Sequence, residues 1–261
     1  DFHAMAQRPN VQFTAISALL AVKIWSVTGV AVPAIGAFGL TTHMAYAPRR
    51  PQVLIWKGSS ECCENLAELT EALLYEFGEE GPSFVTLGDL RAQGKSDYNS
   101  IASFRAVLLF IYDITLFSFF DLYHAAMPMF VPTRLLAPRY LFRGAVSYPR
   151  TNYLQRPGWP QEWWRLAPLL GLGIDALGEN GMEFHPYATT NLVRARFFWS
   201  QFVECYRWPG VQQFESLPDL VVRFREAKLP SISAEMRLYS ATRLEEAGRF
   251  WRATLPRILS F

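Results

Sequence analysis

Two aspartates stand eight residues apart in the run YDITLFSFFDLYHAAMPMFVP, from Tyr112 to Pro132. Asp113 falls where an apolar run ends, and Asp121 falls inside a helical pattern. Acids in such places have two uses. They can cap or solvate, Asp113 as a helix N-cap or turn residue and Asp121 as the wet side of an amphipathic helix. Or they can form one wall of a ligand site, because a fixed carboxylate offers two acceptor oxygens and can bridge vicinal hydroxyls. At about 100° per residue, Leu116, Phe119, Phe120, Tyr123 and Ala126 share one side of the helix, with Ser118, Asp121 and Ala125 opposite. A second polar cluster, Lys57-Gly58-Ser59-Ser60, lies between an apolar run and a helical one. Loop amides and a lysine there suit a diphosphate, although the P-loop order of glycines and lysine is absent.

The elements that must position these groups are legible from periodicity. PQVLIW reads as a strand, and Ser60 caps a helix over ECCENLAELTEALLYEF, with Glu61 and Glu64 in its first turn. SFVTLGD reads as a second strand, and FRAVLLFIYD, after a polar loop, as a buried third. A helix over about Thr115 to Ala126 and a strand MPMFVP follow. Strand–helix–strand units with short loops predict a mostly parallel sheet in an α/β, Rossmann-like layered domain. Such sheets bind ligands at the carboxyl ends of their strands. KGSS and YDIT occupy that edge, which brings Lys57, Gly58, Ser59, Asp113, Thr115, Ser118 and Asp121 towards one side. Upstream, a helix is expected over roughly Phe13 to Trp25, and Pro48-Arg49-Arg50-Pro51 marks a boundary. Residues from about 133 to 190 are dense in Pro, Gly, Trp and Tyr and read as a long irregular excursion, an ordered lid or docking surface. The end is helical: NLVRARFFWSQFVECY as one helix stopped by Trp208-Pro209-Gly210, a strand VQQF, a helix capped by Ser216 and Asp219, and a long last helix carrying a Glu245–Arg249 pair.

Pro128 lies seven residues after Asp121, and an apolar strand follows it almost without a loop. Residues Phe104 to Pro132 thereby resemble the C-terminal, donor-binding half of GT-B glycosyltransferases. That pattern has two acids eight apart, a small-residue helix ending in Gly-x-Pro, and an apolar strand. The resemblance implies that Asp113 lies beside the transferred sugar and that Asp121 accepts hydrogen bonds from the ribose hydroxyls of a nucleotide-sugar donor. Two departures stand out: both acids are Asp where the family favours Glu, and Ala126 replaces the Gly. In this reading the protein transfers a hexosyl group to an unknown acceptor. Residues 1–50 are the remnant of a preceding domain, 51–215 the donor-binding domain with the insertion, and 216–261 helices packed on it.

Composition narrows the other classes. The chain of 261 residues is 51% hydrophobic, which supplies a core and excludes disorder. A net charge of +2, with no block of Lys and Arg, gives no footprint for nucleic acid. The apolar stretch Thr14 to Trp25 is too short to span a bilayer. The chain opens on Asp1 without a visible targeting signal, which reads as a fragment or processed product and leaves the compartment open. Cys62, Cys63, Cys205 and the four scattered histidines make neither a disulfide framework nor a metal set, so no metal or cofactor is expected. His124 reads as a packed or solvated helical residue rather than a base. The alternative from another class is a non-catalytic α/β interaction module whose Trp-rich segment RPGWPQEWW anchors a protein partner.

Overall fold

Strands that are apolar on both faces belong in a parallel sheet covered on both sides, and Val53–Trp56, Ala106–Leu109 and Met129–Pro132 are buried throughout. A computed structural model describes residues 2–40, 42–56, 68, 72, 75–76, 83–111, 116–137, 197 and 200–260. In chain order its elements are α1 (Phe2–Ala6), α2 (Ala18–Thr28), β1 (Arg50–Trp56), β2 (Phe84–Thr86), α3 (Leu87–Ala92), α4 (Tyr98–Ala102), β3 (Phe104–Leu109), α5 (Phe117–His124), β4 (Met129–Pro132), α6 (Glu204–Arg207), β5 (Gln212–Phe214), α7 (Leu217–Glu226) and α8 (Leu229–Leu259). Among the described residues the sheet has five strands in the order β2-β1-β3-β4-β5, every neighbouring pair parallel. This is an α/β, Rossmann-like layered domain.

The register sorts the core. Leu54 lies opposite Val85 on one side and Val107 on the other, and Val107 lies opposite Met129. The alternate positions, Phe84, Val53, Ala106 and Phe130, therefore share the other face. On that face the Phe224 ring of α7 stacks on Phe130 at 3.9 Å and meets Phe84 edge-on at 6.4 Å. The chain divides into two compact units, Asp1–Ala37 with Ser147–Glu204 and Ala241–Phe261, and Phe38–Val146 with Cys205–Ser240; the sheet lies within the second. In the first, Ala15, Ala21 and Val32 form a small core under Phe13, Leu20, Ile24 and Val30. No described helix is long and apolar enough to cross a membrane.

Several element boundaries differ from the sequence expectation, each for a local reason. The second strand stops at Thr86, because Thr86 and Asp89 close a capping box that turns Leu87 into helix. The polar loop before β3 holds α4, nucleated by Asp97, whose carboxylate accepts from the Ser100 amide at 3.0 Å. The N-terminal helix starts only at Ala18, capped by Ser17, after Ala15 has bridged to Ala34. The helix ending at Tyr206 is interrupted at 201–203, where the Val203 amide turns back to the Ser200 carbonyl. Glu245 and Arg249 do not pair among the described residues; Arg243 takes Glu246 instead, at 2.6 Å. The Lys57–Ser60 loop, the loop over 112–115, the region from 138 to 196 and most of the helix after Ser60 lie outside the described residues.

Candidate functional site

The connection leaving β1 runs outward to β2, whereas the one leaving β3 runs the opposite way to β4. The strand order thus reverses between β1 and β3, and open α/β sheets bind ligands in the crevice outside the carboxyl ends at that point. The described residues at this point are Trp56 at the end of β1, paired with Leu109 of β3, and the start of α5. Of the residues expected at this edge, Lys57, Gly58, Ser59, Asp113 and Thr115 lie outside the described residues, while Ser118 and Asp121 are both on α5.

Aromatic packing on one side fixes α5. Trp208 meets Phe119 at 5.5 Å, Phe120 at 5.4 Å and Tyr123 at 4.8 Å, and Tyr123 meets Tyr239 at 6.0 Å. The Tyr123 hydroxyl donates to the Pro209 carbonyl at 2.7 Å, so even the polar end of this face is bound. Burial pushes that hydroxyl's pKa far up, with smaller contributions from Tyr239 and Glu235. The opposite side, with Ser118, Asp121 and His124, is half-buried, and His124 tilts against Phe38 at 4.9 Å.

How α5 ends bears on the resemblance. Ala126 has φ 60°, the left-handed region where an L residue is strained. The Met127 amide donates to the Leu122 carbonyl at 3.1 Å and the Ala126 amide to the Tyr123 carbonyl at 2.8 Å. This is a Schellman cap, in which the left-handed residue is usually glycine and a proline commonly follows shortly after. Ala126-Met127-Pro128 therefore has the backbone that a Gly-x-Pro sequence serves.

Asp121 sits one turn into α5. The Tyr98 hydroxyl of α4 stands close enough to its carboxylate for each group to shift the other's pKa. Burial raises the Asp121 pKa above the ordinary carboxyl value, and the Tyr98 hydroxyl only partly opposes this. In return, burial and then the Asp121 charge raise the Tyr98 hydroxyl. Across the carboxylate lies Gly39: a Cβ there would stand 2.7 Å from Asp121 Oδ1 and 3.1 Å from its Cα. The chain continues along the amino edge, with the Tyr46 amide on the Ala125 carbonyl and the Ala47 amide on the Ala102 carbonyl. Among the described residues no ion pair includes Asp121. A half-buried carboxylate with a hydroxyl beside it and no cation suits neutral hydroxyl ligands better than a charged group. Tyr98 and Gly39 were not legible as partners, since no local pattern links them to a helix so far along the chain.

Among the described residues no three His, Cys, Asp or Glu side chains gather as a metal set. Two buried polar atoms near the carboxyl edge, Trp56 Nε1 and Ser118 Oγ, find no hydrogen-bond partner among the described residues. No family model matches the sequence, and comparison with curated proteins and with solved structures finds no match.

Proposed function

We propose that this protein is a glycosyltransferase-like enzyme that binds a nucleotide-sugar donor at the carboxyl edge of its parallel sheet and transfers a hexosyl group to an acceptor. The observation that carries the reading is the α5 unit: an acid one turn into the helix, then a left-handed cap at Ala126 and Pro128 leading straight into β4. In this reading Asp121 accepts hydrogen bonds from the ribose hydroxyls, with the Tyr98 hydroxyl nearby. Asp113 orients the sugar, Lys57 binds the diphosphate, and Gly58, Ser59, Thr115 and Ser118 are the further donor-binding residues. The bond between the anomeric carbon and the phosphate oxygen breaks, a bond to the acceptor oxygen forms, and the acceptor hydroxyl's proton passes to the departing phosphate. The rate gain comes chiefly from stabilising the departing phosphate charge. From Phe117 to Asp121 the helix rises about 6 Å, a span that lets one ligand set an anionic end on the helix start and a diol on the acid.

The test is thermal unfolding against a panel of UDP-, GDP- and ADP-sugars, with wild type and Asp121→Ala in parallel. A ligand at about 100 times its Kd stabilises the fold by about 2.7 kcal/mol. Losing a charged hydrogen bond of about 1.5–3 kcal/mol weakens binding by roughly one to two orders of magnitude. A shift with one nucleotide that survives intact in Asp121→Ala removes the ribose assignment. No shift with any of them, in a cooperatively unfolding sample, removes the transferase reading in favour of the interaction module.

A further inference from the structure

We propose that Trp56 is a ligand-binding residue whose indole N–H donates a hydrogen bond to a phosphate oxygen of an anion held at the carboxyl ends of β1 and β3. Trp56 is the last residue of β1, opposite Leu109, at the point where the strand order reverses. It is 8% exposed, and its Nε1 is buried without a partner among the described residues. An indole is a donor only, and buried tryptophans usually have that donor met. Leaving it unmet forfeits more than a net hydrogen bond returns, whereas a phenylalanine would fill an apolar slot without the penalty.

The other unmet buried atoms have local remedies that Trp56 lacks. Ser233 and Ser240 lie within α8, where a hydroxyl can turn onto the carbonyl one turn back, and the Ser118 hydroxyl at the start of α5 can rotate about its Cα–Cβ bond as a fixed indole N–H cannot. Arg243 is unmet only at Nε, and its guanidinium already holds Glu246. The Trp56 ring is rigid, has one donor, and ends a strand whose carboxyl side faces the crevice.

A second feature of the same edge points to the charge of the ligand. The helix after β3, α5, begins at Phe117 with Leu116 at the cap position and no side-chain cap bond, so the cap residue does not answer its first amides or the positive end of its dipole. An uncapped helix start and an unmet indole donor at the same edge of the sheet suit an oxyanion, and a phosphate or diphosphate presents enough acceptor oxygens for both. The choice of diphosphate rests on the proposed donor-binding function; the unmet donor itself does not.

The test is an indole ¹⁵N–¹H spectrum of the full chain, with the Trp56 resonance identified by its absence in Trp56→Phe. UDP, GDP, ADP and inorganic diphosphate are titrated in separately, and Asp121→Ala is titrated in parallel. The expected result is a downfield move of the Trp56 indole proton with inorganic diphosphate and with one nucleoside diphosphate. Trp56→Phe then binds both roughly 10- to 100-fold more weakly, as loss of one charge-assisted bond implies. Asp121→Ala weakens the nucleotide alone. A Trp56 resonance that stays in place while ligand binds overturns the proposal, even if Trp56→Phe fails to fold. Nucleotide binding that depends on Asp121 but leaves Trp56 unmoved sinks this inference and spares the function. A Trp56 response with nucleotide binding indifferent to Asp121 does the reverse. Binding of neither nucleotide nor diphosphate overturns both.

Discussion

Gly39→Ala probes whether the segment over Asp121 packs in solution as it does here. The added Cβ would lie 2.7 Å from Asp121 Oδ1 and 3.1 Å from the backbone α-carbon of Asp121, against an optimum of roughly 3.5–4.0 Å between carbon atoms. Oδ1 belongs to a side chain and could turn away, but that carboxylate is half-buried beside Tyr98. Turning it forces a half-buried carboxylate into a new position beside Tyr98; moving the segment instead disturbs the Tyr46 amide on Ala125. Either relaxation falls in the range of overpacking, about 1–3 kcal/mol. In an Asp121→Ala background the carboxylate oxygen is gone and only the close approach to the backbone of residue 121 remains, so the same substitution costs less by about 1–2 kcal/mol. For a chain of this size each kcal/mol moves Tm by roughly 2–4 °C. Urea unfolding of the four proteins in the cycle measures the coupling directly, with an unchanged m-value showing that the unfolded state is the same. Equal costs in the two backgrounds would refute the packing, and with it the account of why glycine stands at position 39.

Two further outcomes follow from the same residues. Because burial raises the Asp121 carboxyl above 3.8, the native state holds its proton more tightly than the unfolded chain. The stability contributed by this group is full below the unfolded value and is lost as pH rises through the folded one. Asp121→Asn should therefore gain on wild type as pH rises above about 4 in urea unfolding, and a constant gap would contradict the raised value. At Ala126, with φ 60°, glycine should change stability by less than about 1 kcal/mol, since relief of strain offsets a lost methyl and added chain freedom. Valine there should cost about 2–4 kcal/mol, and thermal melts that rank valine with glycine would show that the turn is not left-handed.

Legibility followed the kind of signal each residue carries. VLIW, AVLL and MFVP announce buried parallel strands because a strand covered on both faces needs no alternation. The α4 helix gives no apolar rhythm; its signal is a cap, Asp97 on Ser100, within residues that otherwise read as loop. At Thr86-Leu87-Gly88-Asp89 a capping box overrides an apolar run that suits a strand. Asp121 was legible as a candidate because it breaks the pattern of its helix. Tyr98, Gly39 and Trp56 were not, since tyrosine in a polar loop, glycine in a small-residue run and tryptophan at a strand end are ordinary there. What singles them out is a contact, or a missing one, that only the fold creates.

The spacing after Asp121 carries more information than the residue types do. The Asp121 carbonyl takes the Ala125 amide, the Leu122 carbonyl takes Met127 and the Tyr123 carbonyl takes Ala126, so the carbonyls from the acid to Tyr123 are engaged in ending the helix. Pro128 then leads into β4, and its carbonyl accepts from the Val107 amide at 2.9 Å, which ties the turn to β3. The distance from the acid to the sheet is thus set by the number of residues between Asp121 and Pro128. Shifting Asp121 by one position along the helix would rotate it by about 100°, into the places where Phe120 and Leu122 are buried. A carboxylate there would lose Tyr98 and solvent together, at a cost far above that of a surface acid. Fixed spacing from acid to proline is therefore what this cap geometry demands of any sequence that keeps a half-exposed acid beside its sheet.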